Sequence, residues 1–397
     1  MIKVSGYFII LLFCINNIIR NKENFGIDFQ FRGLFYITLL YFIYGLYISK
    51  TFRTIFYSNL NIIILIFLTF SIINGFLNNN EFYYIKDDFY NVLIVYSGIL
   101  TPILIYGSKI KIDSGIIILI STFYFLMIIY FFSKGFITIG DKNTFYAVVH
   151  ILGMFFPLLL FQSTRNKFLN MPNKSFLFLI LIIFLYETFV AFTRANIIGI
   201  LLSSSFIFLL FKPKRNFSFN INVFKNFVII SLLLVASIPL LLILQTGFID
   251  RSYSDSYRLF EAAYIYQDYI SENLIFGSGF GKTFITPLSN VIEKEAHIGL
   301  ITIILKFGLL GMAVFLIIIL KPIVIFFFHS DLSKLNNSNW IVLIVPSLIF
   351  WLVCLSVGKG TFPEHLFGLG LSIGSYIQFK YSMNIVNYNF QMSRSFK

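Results

Sequence analysis

Residues 303 to 329 read IILKFGLLGMAVFLIIILKPIVIFFFH, a run in which Lys306, Lys321 and His329 are the only titratable side chains. Rising about 1.5 Å per residue, a helix of this length can cross the roughly 30 Å hydrocarbon core of a bilayer. Comparable runs recur at about 4 to 19, 33 to 49, 55 to 77, 89 to 107, 114 to 133, 144 to 162, 175 to 192, 195 to 211, 226 to 247, 339 to 357 and 362 to 379. The expected fold is all-α, a polytopic membrane helical bundle of about twelve transmembrane helices. Composition agrees: 58% of the 397 residues are hydrophobic and 12% are charged, about half the charged share of a soluble domain.

The first run is followed by NKENFGIDFQF (21–31) rather than by a small-residue cleavage site, so it reads as a span and not as a signal peptide. Cys14 and Cys354 both lie inside apolar runs. They read as small buried hydrophobes, with neither a disulfide framework nor a thiolate metal site indicated.

Orientation follows from the basic residues. One set of loops carries Lys50, Arg53, Lys109, Lys111, Arg165, Lys167, Lys174, Lys212, Lys214 and Arg215, with Asp113 and Asp331 as its acidic residues. Such loops stay cytoplasmic, and an even number of spans places both termini there. The opposite loops balance Arg20, Lys86, Lys282 and Lys294 with Glu23, Asp87, Asp88, Glu293 and Glu295. The net charge of +13 is therefore a topology signal and does not point to nucleic acid. KPKR at 212–215 reads as a solvated loop or a contact with anionic lipid. The chain divides into residues 1–247 with about nine spans, a large outer loop at 248–296, residues 297–380 with about three spans, and a cytoplasmic tail at 381–397. In a Gram-negative cell the outer loop is periplasmic.

That loop has a pattern of its own. After SYSDS at 252–256, Asp255 or a flanking serine can cap a short helix running to about Glu272. Leu259, Ala262, Ala263, Tyr266 and Ile270 then share one side, which can lie on the membrane domain. Asn273 ends the helix, and GSGFG at 277–281 forms a turn whose backbone, at Gly277 and Gly279, can closely approach a neighbour or a ligand. With no strand before it, this turn does not read as a dinucleotide site.

Four charged or titratable positions stand out. Arg258 offers a planar fork that can clamp a phosphate, or it pairs on the surface with Glu261 at i,i+3. Arg194 interrupts an apolar stretch from 176 to 211. It either snorkels or serves as a cation near the outer surface, with Glu187 about two turns earlier as its nearest acidic candidate. His297 stands where the loop re-enters the membrane. A lone histidine is more often structural, but an imidazole here can accept a proton from a sugar hydroxyl. Lys306 must pair or reach water inside its apolar run, and the sequence names no partner. The loop holds no Asp-x-Asp-like cluster, so no metal and no cofactor are called for, although Glu293 and Glu295 beside His297 keep a cation open as an alternative.

Three stretches, in order, resemble the O-antigen polymerase and O-antigen ligase superfamily, membrane glycosyltransferases with lipid-linked donors. FTRANIIGILLSSSFIFLLF (192–211) is similar to the family's Ser/Thr-Arg before an apolar helix. SYRLFEAAYIYQDYISENLIFGSGFG (256–281) is similar to its Arg-containing loop helix leading into an Asn-Pro-apolar-apolar-Gly-x-Gly turn. HIGLITIILKFGLLGMAVFL (297–316) is similar to its His-Asn followed by Gly-apolar-apolar-Gly. GDKNTFYAVVHILGMFFPLLL (140–160) is a fainter match. Leu274 replaces the common proline, and Ile298 replaces the common asparagine, which removes an amide beside the histidine.

The resemblance implies an oligosaccharide donor on undecaprenyl pyrophosphate, handled at the periplasmic face of the bacterial inner membrane. Arg194 and Arg258 would bind the pyrophosphate, and His297 would be the base, with Glu187, Glu295, Gly277 and Gly279 in support. The expected function is an O-antigen polymerase, passing a glycan to another lipid-linked repeat unit and working beside a chain-length regulator or flippase. A ligase using lipid A core as acceptor is the close alternative. A lipid-linked oligosaccharide flippase or transporter is the distant one, although no internal repeat favours it.

Overall fold

The structure, a computed structural model, describes residues 8–13, 33–106, 260–287, 290–328, 340–357 and 366–378, together with Gly6, Gly199, Ser203, Tyr257, Arg258 and Lys380. Before the loop at 248–296 stand α1 (Gly33–Ile48), α2 (Lys50–Phe56), α3 (Asn59–Leu77) and α4 (Phe82–Tyr106). After it come α5 (Gly299–Phe328), α6 (Trp340–Val357) and α7 (Leu366–Gln378). The described chain is thus mostly helical. Its strands are a two-residue antiparallel ribbon in the loop, β1 (Phe284–Ile285) with β2 (Ile292–Glu293), in which Phe284 faces Glu293.

Among the described residues two helices, α4 and α5, are long and apolar enough to cross a membrane, while α1, α3, α6 and α7 contain shorter apolar helical stretches. The expected runs at 114–133, 144–162, 175–192 and 226–247 lie outside the described residues, as does 195–211 apart from Gly199 and Ser203. Two expected boundaries move. The run placed at 55–77 is divided between α2, which carries Lys50 and Arg53, and α3. The extended backbone of Ser58 and its side chain, accepting from the Asn61 N–H at 3.4 Å, cap the start of α3. The run placed at 89 begins instead at Phe82, so Lys86, Asp87 and Asp88 belong to the first turns of α4. Hydropathy alone trims charged turns from a helix, but a helix can keep them when they find partners.

Small residues bring helices together on the buried side. A Cβ on Gly98 of α4 would overlap the backbone of Phe367 and Gly370 in α7, and Gly374 lies as tightly against Ile99. Phe13 stacks on Phe367 with centroids 4.2 Å apart. The other side is apolar yet exposed: Tyr36, Leu40, Ile43 and Tyr47 on α1, and Ile63, Ile66, Phe70 and Ile73 on α3, remain uncovered. A face of this size and character suits lipid better than water.

The centre of the fold is a break in α5. At Gly308 (φ 66°, ψ −171°) the helical ladder opens. The loop segment 274–279 fills the opening. Leu309 and Leu310 donate their N–H groups to the carbonyls of Leu274 (2.9 Å) and Ile275 (3.1 Å), while the carbonyls of Leu305 and Lys306 accept from Ser278 and Gly279, both at 2.9 Å. An unmatched backbone group in hydrocarbon costs several kcal/mol, so irregular backbone is tolerated only where protein satisfies it.

α3 grips the same segment from the other side. The Asn74 amide donates to the Gly277 carbonyl at 2.9 Å. Asn78 and Asn80 donate to Ser278 at 3.2 and 3.1 Å, and Asn80 also reaches Phe280 at 2.8 Å. The Ser71 carbonyl accepts from the Phe280 N–H at 3.0 Å. Gly308→Ala tests this interlock, because the left-handed φ is costly for alanine and the new Cβ would overlap the Ile275 carbonyl. Strain of about 1–3 kcal/mol is expected before any clash. It should appear as a fall of several degrees in the melting temperature of the detergent-solubilised protein, and an unchanged Tm would show that the break does not need its glycine.

Candidate functional site

The loop helix that leads into the interlock includes Tyr257, Arg258 and residues 260–265, continues as a π turn over Tyr266–Ile270 and tightens to a 3-10 turn over Ser271–Asn273. Of the expected buried face, Ile270 is buried and Leu259 lies outside the described residues, while Ala263 and Tyr266 are corrected. Glu261, Ile265 and Ile270 are buried, whereas Tyr266 and Ala263 are exposed. The wider π turn puts Ile270, five residues on, over Ile265, which displaces the 3.6-residue periodicity. Ile265 and Ile270 pack with Phe284, Ala296 and Leu305, seating the loop helix on β1 and the first turns of α5.

His297 lies two residues before α5, and Glu261 meets it there. The His297 backbone N–H donates to Glu261 Oε2 at 2.9 Å, and both carboxylate oxygens lie 3.0 Å from the ring Nδ1. Glu261 is 1% exposed and the His297 side chain 32%, so the carboxylate is sealed while part of the imidazole stays open. Tyr257 packs against the ring edge-on, with centroids 5.7 Å apart. The preceding N–H, of Ala296, donates to Thr302 Oγ1 at 2.8 Å, which fixes the chain as it turns into α5.

A second polar cluster lies at the interlock. Lys306 Nζ donates to Asp88 Oδ1 at 2.5 Å, both side chains are 5% exposed, and Asp88 Oδ2 accepts the Gly281 N–H at 2.7 Å. The unnamed partner of Lys306 is thus on α4. Nearby, Lys294 donates to Asp87 at 2.7 Å. Burial alone would lower the Lys294 ammonium, but the hydrogen bond with Asp87 and the charges of Asp87, Glu295 and Asp88 together raise it. A raised lysine stabilises the fold below its unfolded pKa of about 10.4, and that contribution disappears as pH rises through the folded value. With its partners 34% and 24% exposed, this pair contributes at most about 1 kcal/mol.

The Asp88–Lys306 pair is another matter. Lys306→Met alone leaves a buried carboxylate without its cation, at an expected loss of about 3–5 kcal/mol. Adding Asp88→Asn removes the orphan charge and keeps an oxygen for the Gly281 N–H, so the double variant should recover most of the loss. Thermal denaturation of the four proteins reads the coupling, and strictly additive losses would rule the pair out as a unit.

Of the residues singled out by sequence, His297 meets the loop helix that carries Arg258. Arg258 is half-buried, and its helical neighbours Tyr257 and Glu261 both touch the histidine. Gly277 and Gly279 lie instead in the interlock, with φ of 69° and 82° and their backbones against α5 and α3. Glu295 is buried on the Lys294 side. Arg194, Glu187 and the capping Asp255 lie outside the described residues. Among the described residues no three His, Cys, Asp or Glu side chains converge as a metal ion would require.

Sequence reasoning passed over Glu261 except as a surface partner of Arg258, and passed over Asp88 and the Asn78–Asn80 run. Asp88 carried a usable signal: an acidic residue at the head of an apolar run is a natural counter-charge for Lys306. The Glu261 contact spans 36 positions in sequence and had none. No family model matches this chain, and no curated protein is significantly similar to it.

Proposed function

We propose that this protein is a membrane glycosyltransferase of the O-antigen polymerase kind, acting at the periplasmic face of the bacterial inner membrane with both termini in the cytoplasm. It transfers a glycan from undecaprenyl pyrophosphate to another lipid-linked repeat unit. The observation that carries this reading is a partly open histidine before an apolar helix, held by a sealed carboxylate from the loop helix that also carries Arg258. The three ordered motif stretches at 192–211, 256–281 and 297–316 support it.

In this reading the acceptor hydroxyl oxygen attacks the anomeric carbon and its proton passes to His297. The bond from that carbon to the pyrophosphate oxygen breaks, and the lipid pyrophosphate leaves with the electron pair. Arg258, with Arg194, would bind that anion, since an always-charged planar fork suits phosphate oxygens as they gain charge. The exposed apolar faces of α1 and α3 would lie in lipid, which also carries the polyprenyl chain of the donor.

Reconstitution with a synthetic undecaprenyl-pyrophosphate oligosaccharide, with and without lipid A core, tests the proposal. Longer lipid-linked glycans are expected, and His297→Ala should slow their formation by roughly 10²- to 10⁴-fold. Core-linked product alone would reassign the protein as a ligase. No product from the native protein, or full activity in His297→Ala, would overturn the mechanism.

A further inference from the structure

We infer that Glu261 is the positioning residue of this site: it holds the His297 ring with the proton on Nδ1 and so leaves Nε2 as the nitrogen that accepts a proton from substrate. The glycosyl-transfer reading enters only in naming that substrate as a sugar hydroxyl.

The geometry makes the assignment. A carboxylate only accepts hydrogen bonds, so a neutral imidazole placed beside it carries its hydrogen on the facing nitrogen. Both Glu261 oxygens lie 3.0 Å from Nδ1. Oε2 also accepts the His297 backbone N–H at 2.9 Å, so one carboxylate ties ring and main chain together. A surface pair would slip between geometries, but this carboxylate is 1% exposed and sits one turn from Ile265, at the edge of the apolar cluster. The Tyr257 ring, edge-on at 5.7 Å, packs against the imidazole from the same helical turn. Dry surroundings strengthen the carboxylate's hold, because no water competes for its lone pairs. Carboxylates that orient a histidine by its far nitrogen perform this task in unrelated hydrolases.

Glu261→Gln is the informative change. Glutamine keeps the length of the side chain and one oxygen for the His297 backbone N–H. If that oxygen takes the Oε2 position, the amide nitrogen replaces Oε1 opposite Nδ1. An N–H donor facing Nδ1 favours the tautomer with the hydrogen on Nε2, which removes the base while leaving the packing intact. Glu261→Asp retains the acceptor charge but withdraws it by one methylene, so it should restore the native tautomer and part of the rate.

The experiment pairs two measurements on the full-length reconstituted protein. Nitrogen-15 NMR of labelled histidine, with His297 assigned by its loss in His297→Gln, reads the tautomer without reference to activity. The transfer assay reads kcat and KM. The expected result is a protonated Nδ1 in the native protein and a protonated Nε2 in Glu261→Gln, with kcat down roughly 10²- to 10⁴-fold, KM within a few-fold, and Tm little changed. Partial rescue of both tautomer and kcat by Glu261→Asp would support positioning over a general loss of structure. A native ring protonated on Nε2, or an unaltered tautomer in Glu261→Gln, overturns the inference even if transfer is observed. A tautomer that changes as expected in a native protein that transfers no glycan would support the positioning role and defeat the glycosyltransferase reading.

Discussion

A helix that breaks inside an apolar bundle must find partners for the backbone groups it releases. α5 does so by accepting a piece of the preceding loop into its own ladder: the N–H groups of Leu309 and Leu310 and the carbonyls of Leu305 and Lys306 are satisfied by residues 274, 275, 278 and 279. The loop is thereby part of the helix core rather than a cover over it. Leu274 and Ile275 can serve as acceptors, and Ser278 and Gly279 as donors, only if the chain reverses between them, which the left-handed Gly277 accomplishes.

The interlock positions much of what lies around it. Its near end draws the loop helix down onto Leu305 and Ala296, which places Glu261 under His297. Its far end reaches α4, where Asp88 accepts both the Gly281 N–H and the Lys306 ammonium. Phe280, fully buried, meets Phe307 edge-on at 5.4 Å between them. One polar cluster therefore neutralises charge inside the bundle, while the other, at the head of the same helix, keeps part of an imidazole open. The first is sealed from solvent, with both side chains 5% exposed, whereas the histidine of the second is 32% exposed.

Much of the architecture was legible in the residue order. Helical character, the long apolar helix after the loop, the short helix within it and the glycine turn behind that helix follow from local hydrophobicity and turn chemistry, which act over a few residues. The head of α4 was misplaced because Asp87 and Asp88 look like loop residues until Lys294 and Lys306 are seen to face them. The buried face of the loop helix was legible at Ile270 but not at Ile265, because a 3.6-residue period separates two positions that the π turn lets share one face.

The sequence by itself determined that this chain is built from apolar helices, that a polar loop with a short helix and a glycine turn stands before the long apolar helix, and that Lys306 had to pair or reach water. Only the tertiary structure decided which carboxylate would answer which cation: Asp88 for Lys306 across 218 positions, and Glu261 for His297 across 36. The physical reason is range. Hydrophobic periodicity and capping are local and can be read from neighbours, whereas a buried charge takes whichever partner packing brings within about 3 Å. That choice was made by the broken ladder of α5, whose unmatched backbone groups drew the loop inward and carried these residues with it.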